Sequence, residues 1–361
     1  MSAMAWAQPG ERVLAIVPGF ASDLEDAAIP SLRALLLDLV AAGVDVRVLA
    51  LRHPPGPRDY GVGPLPVRAL GGGDARGAHR LLLLERARRT AMAMARDVDR
   101  VIGFWADEPG WIAVQVAGAR RVPGHVALMG GELAALRALG YGVGLQRLGR
   151  RLVDHALRHA DRVSVGSAWL GARAEAHPAL QQRQGAGTAP PIEVLPLPLE
   201  ARYRGEVAAP RPLPATDAPL VVGCAASLVP VKRHAALLRE VARARRGGRE
   251  VRLRLAGDGP ELRPLTALAA ALGVTEAVEF LGALAPREMP AFYRGLDVHI
   301  LASAWEAQGM ATLEARACGA AVGGTRVGAV ADDLRAVPPA SAQEALQFEV
   351  VPVSAKSTME P

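Results

Sequence analysis

The amino-acid sequence predicts two doubly wound α/β domains joined by a proline-rich linker. Short apolar runs alternate with helical patterns along the chain, as is typical of parallel sheets covered by helices. The alternation stops at residues 207–219, which contain four prolines and no apolar period, and it restarts at Leu220. We therefore expect a first domain at 1–206, a linker at 207–219 and a second domain at 220–361.

Each domain is predicted from the order of its strands and helices. In the first domain, strands are expected at 12–17, 44–50, 100–104, 125–129, 162–165 and 192–195, and helices at 31–42, 76–96 and 145–159. In the second domain, strands are expected at 220–225, 251–256, 277–281, 298–302 and 320–324, and helices at 234–245, 261–272, 286–294 and 310–317. Open sheets of this kind bind ligands at the carboxyl ends of their strands, so the expected site is a cleft between the two facing domains.

The composition indicates a folded protein with an excess of arginine. Half of the 361 residues are hydrophobic, 22% are charged and the net charge is +6. Among the 42 lysines and arginines, only Lys232 and Lys356 are lysines. The excess indicates either an anionic partner or a bias of composition. We expect no nucleic acid as partner, because basic and aromatic residues are not interleaved on one face.

The positions of the cysteines and of the apolar runs bear on metal binding and on cellular location. Cys224 and Cys318 lie outside any metal-binding or disulfide pattern, so we predict no metal site and interpret both as core residues. No basic start followed by an apolar run begins the chain, and no apolar stretch is long enough to span a bilayer. A cytoplasmic location is expected.

Lys232 is the first candidate site residue. It ends the segment 227–232, which begins at Ser227 directly after a predicted strand. A lysine at this position is well placed to bind a phosphate, whereas the alternative is a solvated surface lysine. Further on, Gly257 lies in a G-D-G-P turn and Gly282 ends an F-L-G strand. Each permits close backbone approach to a ligand, although alone each is also an ordinary turn residue.

Glu306 and Glu314 flank the predicted start of the helix at 310–317. The free amides and dipole of a helix N-terminus favour a phosphate. The carboxylates would accept hydrogen bonds from the hydroxyl groups of a sugar or ribose. Either glutamate alone is better interpreted as a surface residue near a helix start, so the prediction depends on the two together.

Together these motifs resemble the retaining glycosyltransferases of the GT-B fold, of the group 1 or family 4 type. The resemblance covers 220–328 well and the first half more loosely. It implies two Rossmann-like domains, a UDP- or GDP-sugar donor, and neither a metal nor another cofactor. The implied catalytic residues are Glu306, at the transferred sugar, and Lys232, at the pyrophosphate. The implied donor-binding positions are Ser227, Arg233, Gly257, Gly282, Gly309, Met310, Ala311 and Glu314.

Three departures from the family pattern bear on activity. Ser227 stands where many members have an arginine, so that half of a cationic clamp is absent unless Arg233 replaces it. Met129 stands where a histidine is common. After Gly328 the family pattern continues further than this chain does. We expect a short helix at 340–348, a strand and tail at 349–361, and a C-terminal end that is shortened.

The first domain would hold the acceptor, which is expected to be a sugar, a lipid-linked sugar or a small molecule. Gly19, Gly130 and Gly131 are the candidate residues on this side. Trp105 and Trp111, near Asp107 and Glu108, fit either an acceptor cleft or a core. The arginines between 133 and 162 fit either contact with the inner face of a membrane or an ordinary basic surface.

The preferred function is a retaining glycosyltransferase. The alternative is a non-catalytic nucleotide-sugar-binding protein derived from such an enzyme. A GT-B epimerase or a dehydrogenase comes third, and no G-x-G-x-x-G supports the dehydrogenase after the first strand.

Overall fold

The computed structural model describes residues 3–24, 26, 28–204, 213–215 and 218–333. These residues form two compact units, with the boundary between Pro198 and Leu199. Most of the predicted linker lies outside the described residues, as do the elements predicted at 340–361. Residues 199–204, placed by the sequence in the first domain, belong to the second unit, where Tyr203 packs beside Tyr293.

The first unit is built on an eight-stranded sheet of order β3-β4-β2-β1-β5-β6-β7-β8. Its strands are β1 (Arg12–Gly19), β2 (Asp45–His53), β3 (Arg58–Val62), β4 (Leu65–Ala69), β5 (Arg100–Phe104), β6 (Gly124–Leu128), β7 (Arg162–Val165) and β8 (Ile192–Val194). Its helices are α1 (Pro30–Ala41), α2 (Gly77–Met94), α3 (Glu108–Arg120), α4 (Arg147–His159), α5 (Ala168–Glu175) and α6 (Pro178–Gly185).

Both faces of this sheet are covered, because alternate residues of a strand point to opposite faces. Along β1, Val13, Ala15 and Val17 join a core that contains α1. Leu14 and Ile16 join a second core with α2 and α3. The prediction of a doubly wound unit is thus confirmed. The edge strand β3, which was not predicted, pairs with β4 in the antiparallel sense.

The second unit has a parallel five-stranded sheet of order β11-β10-β9-β12-β13. Its strands are β9 (Leu220–Ala225), β10 (Val251–Ala256), β11 (Val278–Gly282), β12 (Val298–Leu301) and β13 (Ala321–Gly324). Its helices are α7 (His234–Arg246), α8 (Leu262–Ala271), α9 (Met289–Arg294), α10 (Met310–Ala317) and α11 (Gly328–Asp333). Again two cores result, one with α7 and α8 and the other with α9 and α10.

Candidate functional site

The site of the second unit follows from its strand order. The chain runs outward from β9 to β10 and β11 and then returns to β12 on the other side of β9. The loops after β9 and β12 therefore diverge at one point of the carboxyl edge. Open α/β sheets bind their ligands at such a switch point. Lys232 follows β9 and Glu306 follows β12, so both predicted catalytic residues lie there.

Lys232 and Glu306 are in direct contact. Lys232 Nζ lies 2.5 Å from Glu306 Oε1, and Ser303 Oγ donates to the same oxygen at 2.6 Å. The two side chains are 24% and 13% exposed, so the pair is reachable from solvent but mostly sheltered. The loops are also joined through the backbone, because Ala304 N donates to Val231 O at 2.8 Å.

The N-terminus of α10 adjoins this pair. Gly309 precedes the helix with a φ of 85°, a left-handed conformation that suits glycine. A β-carbon built on Gly309 would lie 4.0 Å from Glu306 Cγ. Among the described residues, the amides of Gly309, Met310 and Ala311 have no acceptor, as expected of a helix start. The predicted helix start between the two glutamates is confirmed.

Glu314 lies inside α10 with partners of its own. Its Oε2 accepts a hydrogen bond from the Tyr293 hydroxyl at 2.8 Å. Burial raises the pKa of Glu314, and the hydrogen bond from Tyr293 opposes that rise. Its predicted contact with a ribose stays a prediction.

Ser227 and Arg233 sit on either side of Lys232 in sequence. Ser227 is exposed in the loop after β9. Arg233 is half-buried, has a left-handed φ of 54° and forms no ion pair with a described residue. Its guanidinium charge thus remains available near Lys232. That it replaces the arginine of the family pattern stays a prediction.

The side chains of His234 and Cys224 are buried close to Lys232. His234 Nε2 is 3.9 Å from Cys224 Sγ. Burial, together with the charge of Lys232, lowers the pKa of His234 to about 4. Burial raises the pKa of the Cys224 thiol to about 12. Both groups are therefore neutral near pH 7, and Lys232 and Arg233 are left as the cations of this loop. The interpretation of Cys224 as a core residue is confirmed.

Gly257 and Gly282 shape the neighbouring loops. Gly257 has a φ of 145°, and a β-carbon there would lie 2.0 Å from Ala226 O. Its amide donates to Gly282 O at 2.7 Å. Gly257 is thus required by close packing against the loop that leads to Lys232. A β-carbon on Gly282 would meet open space.

Sequence reasoning missed three residues that support the glutamates. Ser303 and Tyr293 donate to them, and Gly328 leaves room for the loop, since a β-carbon there would lie 2.7 Å from Gln308 O. Ser303 could have been found from the sequence, because it is a hydroxyl residue three positions before Glu306 in the same loop. Tyr293 carries no such local signal.

In the first unit, the predicted acceptor-side glycines are packing residues at strand ends. A β-carbon on Gly19 would lie 2.9 Å from His53 Cβ, one on Gly130 2.9 Å from Trp105 Nε1, and one on Gly131 2.8 Å from the Tyr141 ring. They lie at the carboxyl ends of β1 and β6. Their contact with an acceptor stays a prediction.

Glu132 ties the loop after β6 to the loop after β5. It is 3% exposed and accepts hydrogen bonds from the amides of Met129, Gly130 and Ala106. Burial raises the pKa of Glu132 to about 7 and that of nearby Asp107 to about 6. The backbone amide of Met129 thus donates to Glu132, whereas its side chain cannot supply the imidazole that the family pattern often has at this position.

The Trp105 segment is only partly open to solvent. Trp105 has a left-handed φ of 73°, which is strained for so bulky a residue. Glu108 is buried in ion pairs with Arg52 and Arg80, at 2.7 and 2.5 Å, so it is a structural residue rather than part of an open cleft. Trp111 packs against the core beneath α2 and α3.

The described residues offer neither a metal site nor a membrane-spanning helix. No group of three or more His, Cys, Asp or Glu side chains could hold a metal ion. No described helix is long and apolar enough to cross a membrane.

Comparisons with known proteins agree with this geometry. Residues 219–348 match the family model described as glycosyl transferases group 1. The matched residues lie within the second unit, which is thus similar to the group 1 glycosyltransferases. The chain is 41% identical over 141 residues to D-inositol 3-phosphate glycosyltransferase of Stackebrandtia nassauensis, a match that covers 35% of this chain and 32% of the relative. It is 35% identical over 119 residues to the GDP-mannose-dependent alpha-(1-6)-phosphatidylinositol monomannoside mannosyltransferase of Mycolicibacterium smegmatis, with 31% of each chain covered. The matches thus span about a third of the length of these relatives.

Solved structures share the fold over most of the chain. Sucrose-phosphate synthase from Thermosynechococcus elongatus superposes with a TM-score of 0.69 at 17% identity, over 93% of this chain and 88% of that one. Anabaena HepE in complex with UDP-glucose gives a TM-score of 0.59 at 18% identity, over 90% and 82%. The predicted GT-B fold, with two Rossmann-like units, is confirmed.

Proposed function

We propose that this protein transfers a sugar from a UDP- or GDP-sugar to a hydroxyl group of an acceptor, with retention of configuration and without a metal ion. The observation that carries the proposal is the Lys232–Glu306 pair at the switch point, beside the N-terminal amides of α10. The known relatives support the choice of donor, since one is named as GDP-mannose-dependent and HepE was solved with UDP-glucose.

Donor binding would exchange the partners of this ion pair. The pyrophosphate takes Lys232 and the amides of Gly309, Met310 and Ala311, while Glu306 turns to hydroxyl groups of the sugar. Glu314 would receive the hydroxyl groups of the ribose. Each charged group keeps an opposite charge or a hydrogen-bond donor throughout, which limits the cost of desolvation.

The same groups would act in the transfer step. The bond between the anomeric carbon and the phosphate oxygen breaks, and a bond forms between that carbon and the acceptor oxygen. The acceptor proton leaves with the nucleoside diphosphate. Lys232, Arg233 and the helix dipole stabilise the negative charge that develops on the phosphate, as preorganised positive groups do in other transferases. The acceptor itself would be a sugar, a lipid-linked sugar or a small molecule.

A donor panel combined with one substitution tests the proposal. A nucleotide-sugar at 100 times its Kd should stabilise the protein by ~2.7 kcal/mol in a thermal-shift assay. Glu306→Gln should abolish transfer and donor hydrolysis while the nucleoside diphosphate still binds. The control Glu276→Gln, at an exposed position, should leave transfer, hydrolysis and binding unchanged.

The results of these assays distinguish a glycosyltransferase from a non-catalytic nucleotide-sugar-binding protein. Stabilisation by a nucleotide-sugar without transfer or hydrolysis would favour the non-catalytic binding protein. No stabilisation by any UDP- or GDP-sugar would contradict both functions, and full turnover of the Glu306→Gln enzyme would contradict the role of Glu306.

A further inference from the structure

Helix α4 of the first unit carries four arginines that have no ion-pair partner among the described residues. Arg147, Arg150, Arg151 and Arg158 are all exposed. None of them forms an ion pair or a side-chain hydrogen bond with another described residue. The one acidic residue of the helix, Asp154, faces His177 at 3.6 Å instead. The solvent side of α4 is therefore strongly positive.

The position of these arginines is unfavourable for the helix itself. Arg147, Arg150 and Arg151 lie near the N-terminus of α4, and no acidic residue occupies its first turn. The positive end of a helix dipole repels cations. By contrast, Arg243, Arg245 and Arg246 lie in the last turn of α7, where the dipole stabilises them. Arg147, Arg150 and Arg151 thus destabilise their own helix slightly, which points to a partner outside the chain.

Exposed leucines lie at the same end of the unit. Leu81 and Leu82, near the start of α2, are 56% and 68% exposed, and Leu145, just before α4, is 37% exposed. Arg80 donates to Gln146 at 3.3 Å, so the N-terminal ends of α2 and α4 are adjacent. We define the arginine–leucine surface as Leu81, Leu82, Leu145, Arg147, Arg150 and Arg151.

We propose that the arginine–leucine surface docks on an anionic lipid membrane. Arginines attract acidic headgroups, and leucines beside them can enter the boundary between headgroups and acyl chains. A nucleic acid would use the arginines but not the leucines, and this surface has no aromatic side chain on which bases could stack. This docking is independent of the sugar transfer proposed above.

Vesicle sedimentation of the full chain tests the proposal. Wild-type protein should bind phosphatidylcholine vesicles that contain phosphatidylglycerol, bind pure phosphatidylcholine vesicles much less, and lose affinity as salt rises. Each arginine near such a surface strengthens binding roughly five-fold, so a triple Arg147→Gln, Arg150→Gln, Arg151→Gln variant should bind on the order of a hundredfold more weakly. Leu82→Gln should weaken binding about ten-fold.

A matched control removes equal charge elsewhere. Arg239, Arg246 and Arg263 are exposed on the second unit, and their triple glutamine variant should retain most of the binding. The α4 variant should melt at the same temperature as wild type or slightly higher, and a nucleotide-sugar should stabilise it equally, which separates docking from donor binding. Equal losses in both triple variants, or no loss in the α4 variant, would overturn the proposal. Retention of duplex DNA by the α4 surface without vesicle binding would overturn it as well.

Discussion

At the scale of residues, Lys232 and Glu306 form the charged pair of the candidate site. The two side chains lie 2.5 Å apart, although the sequence predicts each of them for a separate reason. Their supports, Ser303 and Tyr293, were not predicted. A hydrogen bond such as that from Tyr293 to Glu314 depends on how α9 packs on α10, and no periodicity within one segment encodes that packing.

Glu132 should make the stability of the first unit depend on pH. Its pKa is raised by burial from 4.5 to about 7 in the folded chain, so its stabilising contribution is full below pH 4.5 and is lost as pH rises through 7. At 1.36 kcal/mol per pKa unit, the loss is on the order of 3 kcal/mol. Wild type should therefore lose stability relative to Glu132→Gln as the pH rises from 4.5 to about 7.

Chemical denaturation followed by tryptophan fluorescence measures this difference, because the first unit holds four of the five tryptophans, namely Trp6, Trp105, Trp111 and Trp169. Exposed Glu276→Gln provides the control. A difference between wild type and Glu132→Gln that does not change with pH would contradict the assignment.

At the scale of elements, regular strands were predicted well and elements with unusual composition were not. The strands at 100–104, 162–165, 220–225 and 251–256 were predicted with the bounds that the structure shows. The β3–β4 hairpin was missed because prolines and glycines crowd its sequence. Helix α3 was missed because it is buried on most sides and so lacks an amphipathic period.

Gly257→Ala should disturb the loop that leads to Lys232. The added carbon would collide with Ala226 O, so we expect a loss of stability on the order of 3 kcal/mol together with weaker donor binding. Gly273→Ala is the matched control, because its φ is 69° and its β-carbon would meet open space. That variant should lose only about 1 kcal/mol and bind donor normally. Equal urea midpoints for the two variants would contradict the prediction, because the loop would then accommodate the added carbon beside Ala226 O without loss of stability.

At the scale of the whole molecule, alternation of strands and helices was enough to predict two units, but not where one ends. The boundary at Pro198 precedes the proline-rich segment, because Tyr203 joins the core of the second unit. Composition marks a linker, whereas membership of a unit depends on long-range contacts that composition does not record.

Hydrogen exchange should map the donor site across the whole chain. With UDP or GDP bound, amides at 226–233 and 303–312 should exchange more slowly, because these segments supply the phosphate contacts. Peptides from α4 should exchange at the same rate with and without nucleotide. Slower exchange confined to the first unit would place the nucleotide elsewhere.

The ion pair between Lys232 and Glu306 also determines which compounds could compete for the site. This lysine already has a carboxylate partner within the protein, so a simple anion such as sulfate or inorganic phosphate has to displace Glu306. The displaced carboxylate is then left half-buried with Ser303 as its remaining partner. A compound that joins a phosphate to a polyol replaces both partners at once. Effective inhibitors of this protein should therefore combine the two chemical groups, and common buffer anions should interfere little.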